Sequence, residues 1–113
     1  MHIRFTARHF KAHPDIREHA LDAIGKLDRF YNGILTANVI LSYERAKKSV
    51  KTAEVNLHVY GEVLSAKEKS EDFVKSIDAV VEKLSMQLGK YKQKLRAKDK
   101  VKVRAIKEKV WSV

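Results

Sequence analysis

The 113-residue sequence predicts an α+β fold. Its expected form is a β-α-β-β-β-α two-layer sandwich, a four-stranded sheet with both helices packed on one face. Three observations predict it. Apolar residues alternate at the start of the chain and again in two central runs, which is the period of a half-buried strand. Two longer segments repeat their apolar residues every three or four positions, as amphipathic helices do. Turn signals separate them, and one domain of this length closes a core without metal or disulfide help.

The first strand covers residues 2–8, with Ile3, Phe5 and Ala7 on one face and His2, Arg4, Thr6 and Arg8 on the other. His13-Pro14-Asp15 then opens a helix: proline suits its first position and the acid its positive dipole end. Ile16, Ala20, Ala23, Ile24, Leu27 and Tyr31 form its apolar stripe, and Asn32-Gly33 ends it. Val39, Leu41 and Tyr43 alternate in the next run, and Ala53, Val55, Leu57 and Val59 in the one after. Joined by the basic link Ala46-Lys47-Lys48-Ser49, they predict an antiparallel hairpin. Gly61-Glu62 is a second turn, and Val63, Leu64 and Ala66 form a short fourth strand. Ser70 caps the second helix, whose register is held by Phe73, Ile77, Val80, Val81, Leu84, Leu88, Tyr91 and Leu95 and weakened only at Gly89. The domain is expected over residues 1–97, with a basic, less periodic tail over 98–113.

Composition excludes several classes. With 44% hydrophobic and 34% charged residues, the chain is neither a disordered polyelectrolyte nor a membrane protein. No run approaches the ~18 apolar residues that span a bilayer, and the N-terminus has no apolar stretch of secretory type. The absence of cysteine fits a cytoplasmic location. The net charge of +10 is distributed unevenly: residues 1–82 hold 13 Lys/Arg against 12 Asp/Glu, whereas residues 83–113 hold 11 against 2. So lopsided a segment repels itself unless a polyanion meets it, and nucleic acid is the first candidate.

At about 100° per residue, Lys83, Lys90 and Lys94 share one side of the second helix, with Gln87 beside them. Lys92 and Arg96 project from the other flank. Such a row can follow a phosphate backbone, and the scarcity of acids beyond Glu82 removes i,i+4 pairing as an explanation. Lys26 and Arg29 either complement the dipole of the first helix or extend the basic surface. Arg4 and Arg8, on the polar sheet face with Asn56, His58 and Tyr60, are read as solvated. His9 and His13 are separated by four positions, but Pro14 breaks the helical geometry of a metal pair, so no metal is expected. Without a phosphate loop, nucleophile elbow or paired carboxylates, catalysis, cofactors and small-molecule substrates are not expected either. The third strand TAEVNLHVYG lacks the aromatics of an RNA-recognition motif, and no GxxG loop is present. Backbone recognition by helix faces remains.

The run Glu71-Asp72-Phe73, Ile77-Asp78, Glu82-Lys83-Leu84, Gln87-Leu88, Lys90-Tyr91-Lys92 and Lys94 resembles the second-helix signature of bacterial ribosome hibernation promoting factors and ribosome-associated inhibitors. Ile16-Arg17-Glu18 and Lys26-Leu27-Asp28 resemble that family's first helix, and the resemblance covers about residues 2 to 96. It implies the same element order. It also implies binding to the small ribosomal subunit and its ribosomal RNA, in the channel of tRNA and messenger RNA, as a steric block on idle ribosomes. The basic contacts it implies fall on Lys83, Lys90, Lys92, Lys94 and Lys26. Met86 stands where members commonly have arginine, and Arg96, Lys98 and Lys100 are expected to compensate. The basic tail matches neither the long family ending nor the acidic short one, and is expected to be mobile when free and partly ordered on the ribosome. Ribosome pairing, with or without a second factor, stays open. Two other readings stand beside this one: a regulatory protein-binding module that modulates a sigma factor, and a general double-stranded-RNA binder.

Overall fold

The computed structural model describes residues 1–44 and 50–111, with side chains as far as Arg96. The elements run β1 (His2–Ala7), α1 (Pro14–Phe30), β2 (Ile34–Tyr43), β3 (Lys51–Val59), β4 (Glu62–Ser70) and α2 (Phe73–Trp111). The expected β-α-β-β-β-α order and two-layer arrangement are found. The sheet has the order β1-β2-β3-β4 and is mixed: β1 is parallel to β2, and the other two pairings are antiparallel. The parallel pair follows from α1, which carries the chain back across the sheet before β2 begins. The basic link at 46–49 lies outside the described residues.

Register divides the sheet into two faces. Phe5 lies opposite Val39, Val39 opposite Val55 and Val55 opposite Ala66, while Ile3, Ala37, Leu57 and Leu64 form a second such row. Both rows face the helices. The neighbouring row of Arg4, Asn38, Asn56 and Ser65 faces solvent, where Ser65 Oγ donates to Asn56 Oδ1 at 2.7 Å. Because side chains alternate, a slip of one residue would exchange the two faces. Against the apolar face lie Ala20, Ala23, Ile24 and Leu27 of α1 and Phe73, Ile77, Val80, Leu84, Leu88 and Tyr91 of α2, all buried. Phe10 stacks on Phe73 at 5.2 Å and meets the edge of Tyr43 at 4.9 Å, closing one end of the core. Tyr43 stays 39% exposed there, less enclosed than its alternation with Val39 and Leu41 suggests.

The helix ends show how local chemistry fixes the boundaries. His13 caps α1: its Nδ1 accepts the Asp15 N–H at 3.1 Å, with Pro14 in the first turn. Tyr31, in extended conformation, ends that helix and donates its N–H to Leu27 O. For α2 the cap is Asp72 rather than Ser70. The Asp72 carboxylate accepts the Val74 N–H at 2.9 Å, and its carbonyl accepts the first helical N–H, that of Ser76. Ser70 stays in β4 and supports the turn, its Oγ accepting the Asp72 N–H at 3.2 Å.

Two elements are longer than the sequence suggests. β4 extends over nine residues to Ser70, and only Leu64 and Ala66 in it are buried, so Val63 points to the open face. α2 continues unbroken to Trp111, through the 97/98 boundary drawn from the loss of apolar period. Residues 97–111 contain no glycine or proline to break the helix. Among the described residues, no helix is long and apolar enough to cross a membrane.

Leu84 is fully buried between α2 and the sheet, so Leu84→Ala should cost about 2–5 kcal/mol in urea denaturation. An added Cβ at Gly89 would meet nothing within 4 Å, and the residue lies inside α2 with ordinary φ. Gly89→Ala should therefore raise stability by about 0.5–1 kcal/mol in the same measurement.

Candidate nucleic-acid interface

α2 presents basic residues on both flanks, and the two flanks differ. One lies along β4, the edge strand, which runs antiparallel to the helix. There Lys83 forms an ion pair with Glu68, the Gln87 amide donates to Ser65 O at 2.9 Å, and Lys94 Nζ lies 3.8 Å from Glu62. Further along, the Tyr91 hydroxyl donates to Tyr60 O at 2.7 Å. Loss of surrounding water raises the Tyr91 pKa, with a smaller contribution from Tyr31. The phenol thus stays protonated and donating at neutral pH, and what this contact contributes is lost only as pH rises through the raised value. The sequence correctly excludes i,i+4 partners for these lysines; their partners come from the neighbouring strand.

The other flank meets α1. Lys92 Nζ lies 3.2 Å from Phe30 O and 4.7 Å from the centre of the Phe30 ring. It thereby supplies a cation at the negative end of the α1 dipole, where terminal carbonyls lack helical partners. Lys26 lies one turn before Phe30 on the same side of α1, and Arg29 is in the last turn. Both are exposed, as are Lys90 and Arg96 on α2. None of these four forms an ion pair among the described residues. The side chain of Lys98 lies outside the described residues.

The candidate residues therefore fall into three states. Lys83 and Lys94 are held by carboxylates, Gln87 and Lys92 are held by backbone carbonyls, and Lys26, Arg29, Lys90 and Arg96 point into solvent. A phosphate backbone lying on this side of the molecule would meet the third group directly and compete for the first. Met86 is 61% exposed on the surface and contributes no charge. Glu62, Glu68 and Phe30 belong to this surface although nothing in the helix spacing marks them. A signal for the glutamates does exist: Glu62, Leu64, Ala66 and Glu68 alternate on the helix-facing side of β4, so both carboxylates flank a buried row.

No group of three metal-ligating side chains occurs among the described residues. On the open sheet face, Arg4, Asn56 and His58 occupy neighbouring positions with Asn38, whose amide nitrogen lies 3.4 Å from His58 Nε2.

The sequence and fold are similar to those of known proteins. The chain is 30% identical over 96 residues to a ribosome hibernation promoting factor of Klebsiella oxytoca, covering 85% of this chain and 98% of that one. It is 29% identical over 96 residues to the Escherichia coli K12 factor of the same name, with the same coverage. Among solved structures, a ribosomal subunit interface protein from Coxiella burnetii superposes with a TM-score of 0.75 at 27% identity, over 82% of this chain and 99% of that one. The N-terminal domain of Protein Y from Thermus thermophilus does so with a TM-score of 0.70, also at 27% identity, over 80% of this chain and 99% of that domain. The family described as Sigma 54 modulation protein / S30EA ribosomal protein matches residues 3–96, from the first core position of β1 to the last basic residue of the candidate face, and the chain belongs to that family.

Proposed function

We propose that this protein is a cytoplasmic ribosome hibernation factor that binds the small ribosomal subunit in its tRNA and messenger-RNA channel and blocks translation by idle ribosomes. The observation that carries the reading is the set of exposed cations, Lys26, Arg29, Lys90 and Arg96, which form no ion pair among the described residues and stand on the two packed helices of a domain whose relatives are named for hibernation. Ribosomal RNA phosphates are the chemical partner of such a surface, and each contact releases counterions, so binding weakens as salt rises. Lys83 and Lys94 join the contact when RNA displaces their carboxylates. Gln87 and Lys92 hold α2 against β4 and α1 at the right angle. The mechanism is occupation of the channel, without bond making or breaking.

The helical continuation of α2 extends this surface. Between residues 97 and 111 the chain carries six Lys/Arg against two Asp/Glu, beyond the last residue the family match covers. At about 1.5 Å per residue these fifteen residues reach roughly 22 Å further, enough to follow RNA past the body of the domain. Lys98 and Lys100 supply charge there in place of the arginine absent at Met86.

Three outcomes are expected. In gradient sedimentation at moderate salt, the protein should travel with small subunits or whole ribosomes, and the Lys83→Glu, Lys90→Glu, Lys94→Glu triple variant should stay at the top while keeping its fold. Wild-type protein at the top of the gradient overturns the proposal; retention of a transcription factor after nuclease treatment would then favour the sigma-factor reading. Equal competition by any RNA duplex would favour a general duplex binder, and a shift to paired particles would show ribosome dimerisation. Second, Lys92→Met should lower stability by about 0.3–1 kcal/mol, because the α1 C-terminus loses its cation, whereas Lys90→Met should leave urea stability unchanged and lower ribosome affinity. Third, truncation after Ala97 should weaken binding and flatten its salt dependence without lowering the thermal midpoint.

A further inference from the structure

We infer that Glu62 and Glu68 set the RNA selectivity of the α2 lysine face, holding Lys94 and Lys83 until a phosphate array arrives that replaces both carboxylates together. This rests on the reading of that face as RNA-binding.

The geometry carries the argument. Glu62 and Glu68 occupy the same face of β4 at either end of the buried Leu64–Ala66 row, and each engages a lysine on the facing flank of α2. Six residues of strand separate the two carboxylates by about 20 Å, and eleven residues of helix separate the lysines by about 16 Å. That distance exceeds the reach of one phosphate. An RNA that engages one lysine leaves the other pair intact and brings its own phosphates toward an uncompensated carboxylate. Only a backbone whose contour follows α2 across three turns releases both lysines and gains both contacts. Discrimination then comes from the repulsive element as much as from the attractive one.

A purely structural role accounts poorly for these pairs. Strand and helix are already fastened by Leu64, Ala66, Leu84, Leu88 and Tyr91, all buried, and by the Gln87–Ser65 hydrogen bond. Both lysine side chains are more than half exposed, and exposed pairs contribute little to stability. What the carboxylates do control is the charge that an approaching polyanion meets.

The test uses the full chain and two probes, purified small ribosomal subunits and a labelled RNA duplex of unrelated sequence, at one fixed salt concentration. The Glu62→Gln, Glu68→Gln variant should gain about three- to tenfold in duplex affinity and less in subunit affinity, so that the ratio of the two falls. A charge-matched control is Glu54→Gln, Glu71→Gln. Glu54 lies on the open sheet face, and Glu71 pairs with Lys75 at 2.7 Å at the other end of α2. The control should leave the ratio unchanged. Each single Gln variant at 62 or 68 should show part of the effect, with thermal midpoints near wild type. An unchanged ratio in the double variant, or an equal fall in the control, overturns the inference while leaving ribosome binding intact. Wild-type protein that binds neither probe overturns the RNA-binding reading itself.

Discussion

The position of each candidate contact depends on one packing arrangement: the apolar stripe of α2 lying across β3 and β4. Phe73, Ile77, Val80, Leu84, Leu88 and Tyr91 are buried in that contact, and each fully buried side chain of this size is worth about 1.5–3 kcal/mol. No single ion pair on the surface approaches that value. The stripe therefore decides the rotation of the helix, and the rotation decides which lysines face β4, which face α1 and which face water. A quarter-turn error would bury Lys83 and expose Leu84, a change far more costly than any gain in charge pairing.

Most of this was legible in the sequence, because alternation and helical spacing are local properties. The buried apolar positions of β3 are the alternating Ala53, Val55, Leu57 and Val59, and those of α2 are among the ones its spacing marks; Thr52 and Ser76 are buried as well, outside both patterns. The features that local spacing does not mark have different physical origins. Ser70 resembled a cap by composition, but Asp72 lies one residue before the helix and offers both carboxylate and carbonyl. The sequence puts a domain boundary near residue 97, where the apolar period fades and close to where the family match ends, while α2 continues to Trp111. Glu62, Glu68 and Phe30 were overlooked because their contacts with Lys94, Lys83 and Lys92 cross between elements. Charge along one helix can be counted from sequence, whereas charge between a helix and a strand needs the register of both.

The same residues thus serve two ends that pull in different directions. Lys92 stabilises α1 from within the candidate interface, and Gln87 ties α2 to an edge strand from the middle of the lysine row. Rigidity follows from this sharing. A contact surface held in place before its partner arrives loses little conformational freedom on binding, so more of the favourable phosphate interaction appears as affinity.

The Gln87 amide on Ser65 O also bears on self-association. An edge strand offers unpaired carbonyls and N–H groups to any other strand, which makes it a template for aggregation. On β4 one outward carbonyl is already taken by Gln87, while Lys67 and Lys69 extend exposed from the same strand. A second strand approaching that carbonyl would have to break the bond first. The helix that carries the candidate lysines therefore also covers part of the sheet's β4 edge.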